Sequence, residues 1–311
     1  MGAGTFYLLG LTNPVRIEQK SANTYYKEGL EKYNNKDFRG AIEDYNSAIK
    51  INPNYANAYI GRGLARSDLG DKQAAIEDYN SAIKINPNYA LAYYNRGIVR
   101  SDLGDKQAAI EDYTQAIKIN PNYALAYNNR GLARSDLGDN QAAIEDYTQA
   151  IKINSNYALA YYNRGIARSD LGDNQAAIED YTQAIKINPY YANAYNNRGI
   201  ARSDLGDNQA AIVDYNSAIK INPNYELAYY NRGLARSNLG DNQAAIVDYN
   251  SAIKINPNYA NAYYNRGNAR SALGDKQAAI VDFRKSADLY KQQGKESAYQ
   301  DALNRIKQLE K

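Results

Sequence analysis

A unit of 34 residues, repeated eight times without an insertion, constrains this chain more than any other feature of its sequence. A unit of this length is too short to enclose a core alone, so it must bury its apolar side against its neighbours. The periodicity therefore predicts a linear array of units over residues 22–293. The units span residues 22–55, 56–89, 90–123, 124–157, 158–191, 192–225, 226–259 and 260–293.

The third unit, ALAYYNRGIVRSDLGDKQAAIEDYTQAIKINPNY, predicts two helices joined by a tight turn. The first helix is expected over residues 90–103, and Gly104 can adopt the left-handed conformation that ends a helix. Asp105 is suited to cap a second helix over residues 106–119. Apolar residues three and four positions apart give that second helix one buried face.

Six positions of the unit resemble the tetratricopeptide repeat, which has the same length. Small residues at these positions let the two helices approach closely, and aromatic residues fill the space between them. In the third unit the six residues are Tyr93, Gly97, Ala109, Tyr113, Ala116 and Pro121. The resemblance implies an all-α fold, a right-handed superhelical solenoid of eight helix–turn–helix repeats.

The sequence also allows predictions for the two segments outside the array, residues 1–21 and 294–311. Residues 294–311 place apolar residues on one face of a polar helix, which predicts a capping helix over the last unit. Residues 1–21 hold a short apolar run without a basic stretch before it, so a leader and a docking segment are both open interpretations. No stretch reaches the roughly 18 apolar residues of a membrane helix, so no integral membrane segment is expected.

The composition excludes several kinds of chemistry. The chain contains no histidine and no cysteine, which removes imidazole catalysis, thiolate nucleophiles and the metal sites built from either. Glu111 and Asp112 project about 100° apart on a helix, so they do not form a working carboxylate pair. We therefore expect no enzyme, no cofactor and no metal. The compartment stays open between cytoplasmic and exported, because a chain without cysteine is compatible with either.

The charge pattern is also informative about partners. The 37 basic and 34 acidic residues are interspersed along the chain, so no basic stripe predicts nucleic-acid binding. The expected partner is a protein or a peptide, with copies of the same chain as an alternative.

By resemblance, the first helix of each unit lines a concave groove, and the sixth residue of the unit points into it. We number positions from the first residue of each unit, so this residue is position 6. Position 6 is asparagine in six successive units, and one amide per unit would form a ladder that can donate to and accept from a peptide backbone. The alternative is that each asparagine caps or bridges within its own unit. The six are Asn95, Asn129, Asn163, Asn197, Asn231 and Asn265.

Two further rows complete the predicted groove. Tyrosine at position 5 offers flat contact area at little entropic cost. These tyrosines are Tyr94, Tyr162, Tyr230 and Tyr264. Aspartate at position 13 makes the groove acidic, which favours a basic or neutral extended peptide. The acids include Asp102, Asp136 and Asp170.

The arginines at positions 7 and 11 fall on the packing side of the first helix, as Arg96 and Arg100 do, and Leu103 is expected there too. An unpaired buried charge costs several kcal/mol, so each arginine needs an acid. Aspartate recurs at position 23 in all eight units. We therefore expect Asp112 to pair with Arg96 or Arg100, within its unit or across to the next. The alternative is that the arginines project outward to bind phosphate.

These features favour a non-catalytic scaffold that binds an extended peptide or a partner protein in the groove. The alternative is a structural protein that assembles into filaments through heterologous contacts between copies. That alternative depends on the apolar run near the N-terminus and on valines that replace glutamate at position 22. The residues concerned are Phe6, Leu8, Leu9, Val213, Val247 and Val281.

Overall fold

The computed structural model describes residues 20–310, in which every regular element is an α-helix. The chain divides into two compact bodies between Ile119 and Asn120. The first body contains α1 (Ala22–Asn34), α2 (Phe38–Ile51), α3 (Ala56–Asp68), α4 (Lys72–Ile85), α5 (Ala90–Asp102) and α6 (Lys106–Ile119). Each successive pair of these helices forms one helix–turn–helix unit.

The second body repeats the same pairing and adds one helix at its C-terminal end. It contains α7 (Ala124–Asp136), α8 (Asn140–Ile153), α9 (Ala158–Asp170), α10 (Asn174–Ile187), α11 (Ala192–Asp204), α12 (Asn208–Ile221), α13 (Glu226–Asn238), α14 (Asn242–Ile255), α15 (Ala260–Ala272), α16 (Lys276–Gln292) and α17 (Glu296–Leu309). The all-α class and the tandem helix–turn–helix repeats predicted from the sequence are thus confirmed. No helix between residues 20 and 310 is long and apolar enough to cross a membrane.

The turn inside each unit from the second to the eighth is built from a glycine and an aspartate, and the first unit has Lys36, with φ of +64°, in place of the glycine. Gly104 has φ of +89°, a left-handed conformation that a residue with a Cβ rarely adopts. Asp105 then caps α6, because its Oδ1 accepts a hydrogen bond from the backbone N–H of Ala108 at 3.1 Å. The two helices of the unit consequently reverse direction within three residues, as the sequence predicts.

The two helices of a unit pack closely because a glycine faces a large ring. A Cβ on Gly97 would lie 2.7 Å from Cε1 of Tyr113, which is closer than van der Waals contact allows. The Tyr113 ring is 2% exposed, and Ala109 and Ala116 on the same helix are fully buried. The small and aromatic positions of the repeat therefore form its core.

Helices from successive units do not all approach one another equally. The first helices contact each other directly, α1 with α3 and α3 with α5 in the first body, and α7, α9, α11, α13 and α15 in turn in the second. Second helices of successive units make no comparable approach within residues 20–310. We call the surface formed by the first helices the inner side of each body.

A buried aspartate held by two arginines ties together the two helices of seven of the eight units. Asp112 is 2% exposed, and its Oδ1 lies 2.6 Å from Nη2 of Arg96. Its Oδ2 lies 3.0 Å from Nη1 of Arg100. The predicted pairing is therefore confirmed, and it uses both arginines of the same unit. The same arrangement recurs in the other units from the second to the eighth, while the first unit pairs Asp44 with Lys32 at 2.8 Å.

The arginine at position 7 also reaches the preceding unit. Nη1 of Arg96 donates to Oδ1 of Asn80 on α4, and the guanidinium lies 5.5 Å from the centre of the Tyr93 ring. Nη1 of Arg164 donates in the same way to the hydroxyl of Thr148 on α8. These donors are directed into the interface between units, where they join three helices.

Position 14 departs from the expectation. Leu103 is 52% exposed, so the prediction that it lies on the packing side is wrong. Helix α5 ends at Asp102, and Leu103 is its C-terminal cap residue, so its side chain leaves the helical stripe that carries Arg96 and Arg100. The corresponding leucines of the other units are exposed as well.

The last helix covers the end of the second body. In α17, Ala302 and Ile306 are buried, and Leu303 packs with Ile306 against Phe283 of α16. Its other positions are mostly polar, as a terminal element of a repeat array requires.

Removing the carboxylate of Asp112 should destabilise the protein much more than removing the exposed carboxylate beside it. Asp112→Ala leaves two partly buried guanidinium groups without a counter-charge, and we expect a loss of about 3 kcal/mol. Glu111→Ala should change stability by less than about 0.5 kcal/mol, because Glu111 is exposed. Urea denaturation followed by circular dichroism measures both, and equal small effects would contradict the role assigned to the buried aspartate.

Candidate functional site

The asparagines at position 6 lie on the inner side and hydrogen-bond to the preceding unit. Nδ2 of Asn163 donates to Oδ1 of Asn128 at 3.1 Å. Nδ2 of Asn231 donates to Oδ1 of Asn196 at the same distance. Both acceptors occupy position 5 of the unit before. The asparagines thus link the first helices of successive units rather than bridging only within their own.

Tyrosine takes the place of the acceptor where position 5 is not asparagine. Nδ2 of Asn197 donates to the hydroxyl of Tyr162 at 3.2 Å, and Nδ2 of Asn265 donates to that of Tyr230 at 2.8 Å. Burial raises the pKa of both hydroxyls, and the donated hydrogen bond partly offsets that rise. We call this row of contacts from position 6 to the preceding position 5 the polar seam.

The polar seam is interrupted in the first body. Asn95 is 6% exposed, and its Nδ2 has no hydrogen-bond partner among the described residues. By the register of the seam its acceptor would come from residue 60, and that residue is isoleucine. A buried amide without a partner costs about 1–3 kcal/mol, so Asn95 is a local weakness of the array.

The inner side also exposes leucines. They occupy positions 2 and 9 of their units, where a helical stripe faces away from the neighbouring helices. Leu159 and Leu227 at position 2 are each 42% exposed, and Leu132 at position 9 is 44% exposed. In the sequence these leucines can be recognised because leucine recurs at positions 2 and 9 on a helix face that is otherwise polar.

The predicted acidic row is exposed, but its members have different surroundings. Asp102 lies 3.4 Å from Nζ of Lys72 in the preceding unit. Asp68 accepts a hydrogen bond of 2.7 Å from the Tyr33 hydroxyl, and burial together with that bond raises the pKa of Tyr33 to about 12. Asp170 and Asp204 are exposed and form no salt bridge with another residue between 20 and 310.

The remaining predicted site residues differ in burial and in the helices that they contact. Tyr94 is half-buried and lies 6.0 Å from the Tyr113 ring, and Asn129 is half-buried while Asp136 is exposed. Tyr264 packs against Phe283 at 5.4 Å and against the capping helix, so it belongs to the end of the array.

The residues assigned to self-assembly divide into two groups. The three valines lie on second helices and are 56%, 55% and 63% exposed. They are Val213, Val247 and Val281. Phe6, Leu8 and Leu9 lie outside the residues that the structure describes, and their role stays a prediction.

The inner side offers apolar contact, hydrogen bonds and negative charge. No group of three or more acidic side chains within residues 20–310 is placed to hold a metal ion. The repeated buried aspartates are held by arginines, so they contribute to packing.

Family comparison matches nearly the whole array. Models described as "TPR repeat" and "Tetratricopeptide repeat" match overlapping stretches that extend from residue 29 to residue 293. The matched stretches are 29–70, 63–104, 90–123, 112–145, 133–172, 158–191, 180–213, 201–240, 238–274 and 260–293. No curated protein matches the chain.

Solved structures share the fold. The crystal structure of MamA protein is 29% identical, with a TM-score of 0.51 over 55% of this chain and 94% of that one. A tetratricopeptide repeat protein from Parabacteroides merdae is 23% identical, with a TM-score of 0.61 over 80% of this chain and 98% of that one. YrrB, described as a TPR protein with an unusual peptide-binding site, is 22% identical, with a TM-score of 0.52 over 59% and 95%.

The polar seam predicts opposite outcomes for two asparagines at the same position of the repeat. Asn231→Ala removes the donor to Asn196, whose side chain is 2% exposed, and we expect a loss of about 1–3 kcal/mol. Asn95→Ala removes an amide nitrogen that has no partner, so the change should be near zero or stabilising. Urea denaturation of the two variants checks this, and a larger loss for Asn95→Ala would contradict the assigned register.

Proposed function

This chain belongs to the tetratricopeptide repeat family, and from that premise we propose that it is a scaffold that holds an extended peptide against its inner side. The family's repeat supports a role in protein interaction. The peptide would lie across the first helices of the second body, from α7 to α13.

Exposed leucines beside unpaired carboxylates carry this proposal. Leu159 and Leu227 are large apolar side chains, yet each keeps about two-fifths of its surface in solvent. Covering such surface with a partner's apolar side chains is favourable by about 25 cal/mol per Å². Asp170 lies on α9 with Leu159, and Asp204 lies on α11, the first helix between α9 and α13. Neither acid has a counter-ion among the described residues, so both favour lysine or arginine in the partner.

The polar seam supports the same proposal by fixing side chains in place. Asn163 and Asn231 each use an amide nitrogen to reach the preceding unit, while their Oδ1 atoms make no hydrogen bond to another described residue. An amide oxygen held in this way can accept a hydrogen bond from a peptide N–H. Because the seam already restricts these side chains, binding would order them at little further entropic cost.

Neutralising the acids without a counter-ion should weaken peptide binding. Peptides are first selected on the protein from a random phage-displayed library, and their affinities are measured by fluorescence anisotropy. Asp170→Asn combined with Asp204→Asn should lower the affinity of basic hits by about two- to fivefold at low salt. The difference should shrink at high salt, because exposed charges are then screened.

Asp102→Asn is the matched control, since Asp102 has the same position in its repeat and already lies beside Lys72. It should leave the affinity of those hits unchanged. Failure to select any peptide, or equal effects of the two substitutions, would contradict a peptide site on the second body.

A second candidate function, assembly with copies of the chain, is favoured by one observation. Val213, Val247 and Val281 recur at the same position of three successive second helices, and more than half of each side chain is exposed. The other five units carry exposed glutamate at this position. Such contacts would be lateral, because the three valines lie on the second helices.

Restoring glutamate at the three valines should abolish assembly if these residues mediate it. The triple variant Val213→Glu, Val247→Glu and Val281→Glu reproduces what five other units already carry, so folding should be retained. Light scattering and negative-stain microscopy of wild type and variant report the assembly. A wild-type protein that stays monomeric at high concentration would rule out this second function.

A further inference from the structure

The inner side of the first body contains a small pocket. Its volume is about 150 Å³, and it lies where the first three units meet. Its walls include Tyr26 and Leu30 of α1, Tyr45 of α2, and Ile60 and Leu64 of α3. These side chains make the pocket largely apolar and aromatic.

At this pocket the second unit departs from the repeat at two adjacent positions. Gly61 stands where later units have asparagine, and a Cβ there would lie 2.6 Å from Cζ of Tyr45. Ile60 stands where they have tyrosine or asparagine, and it gives no acceptor to Asn95. The two residues therefore replace the polar seam by an apolar recess at one place on the inner side.

The size of the recess matches a single side chain. A cavity of about 150 Å³ lined by apolar side chains holds a molecule of the size of benzene. Leu30 is 41% exposed and Leu91 is 37% exposed, so apolar surface extends from the recess to solvent. An aromatic or aliphatic side chain entering from the inner side would bury this surface.

The charge beside the recess restricts the neighbours of that side chain. Tyr33 lines the recess, and its hydroxyl donates to Oδ2 of Asp68 at 2.7 Å. Asp68 is exposed and forms no salt bridge within residues 20–310. The Asp68 carboxylate, held next to the recess by Tyr33, favours a lysine or arginine beside the apolar residue of a bound peptide.

We propose that this recess is an anchor subsite, which takes one aromatic or aliphatic side chain of a peptide that carries a basic residue beside it. The subsite rests on the proposed peptide-binding function, but it lies in the first body and uses different residues. It would fix the register of the bound peptide, because the regular repeat offers identical contacts every 34 residues.

Matched peptides test the subsite. Fluorescein-labelled Gly/Ser peptides with Lys-Phe-Lys, Lys-Leu-Lys, Lys-Ala-Lys or Lys-Glu-Lys at the centre are titrated with the full chain and followed by anisotropy. The phenylalanine and leucine peptides should bind about tenfold more tightly than the alanine peptide. The glutamate peptide should bind no better than the alanine peptide.

Substitutions at exposed leucines locate the effect. Leu30→Asp should reduce the affinity of the phenylalanine peptide to that of the alanine peptide. Leu103→Asp is the control, because Leu103 is 52% exposed and lies outside the recess. Leu132→Asp reports binding to the inner side of the second body. Leu91→Asp repeats the test at position 2 with the same control, and circular dichroism confirms that each variant is folded.

The outcomes separate this inference from the proposed function. Equal affinities of the phenylalanine and alanine peptides, or an unchanged affinity in both Leu30→Asp and Leu91→Asp, would overturn the subsite. If Leu132→Asp alone removes binding, the scaffold function stands and the anchor belongs to the second body. If neither these peptides nor library-selected ones bind, the scaffold function fails together with the subsite.

Discussion

The buried aspartate at position 23 is the interaction on which the rest of the array depends. In the third unit, Asp112 joins the second helix to two arginines of the first, and Arg96 continues to Asn80 of the preceding unit. A buried carboxylate that loses such partners is costly, so any change at one of these positions requires a compensating change at the others. This coupling accounts for the near-identity of the units at positions 7, 11 and 23. In the first unit both arginines are replaced together, by Glu28 and Lys32, while the aspartate is kept as Asp44.

The same geometry leaves each first helix with one side for packing and one exposed side, on which we propose that the partner binds. Arginine, glycine and the position-4 tyrosine face the second helices, while positions 2, 9 and 13 remain on the inner side with leucine and aspartate. The polar seam lies between these two regions and holds the first helices in register. Asn163 contributes to both regions. Its Nδ2 donates to Asn128 in the polar seam, while its Oδ1 makes no hydrogen bond to a described residue.

Much of this could be predicted from the sequence, because it depends on contacts within one unit. The turn at Gly104 and Asp105 and the pairing of Asp112 follow from helical spacing and from the cost of a buried charge. The prediction for Leu103 was wrong because the helix ends one residue earlier than expected, at Asp102, so the Leu103 side chain does not follow the helical spacing. The polar seam could not be predicted, since residue 163 meets residue 128 only through the register of two separate helices. The recess at Gly61 could not be predicted either, because its shape depends on the Tyr45 ring from another unit.

We propose that this repeat array recognises its partner through the first helices and uses the second helices for support. The decisive experiment is photo-cross-linking of a selected peptide that carries a benzophenone group, followed by mass spectrometry. We expect adducts on first-helix segments such as residues 158–170 and 192–204. Adducts concentrated on second-helix segments such as residues 174–187 and 208–221 would contradict it.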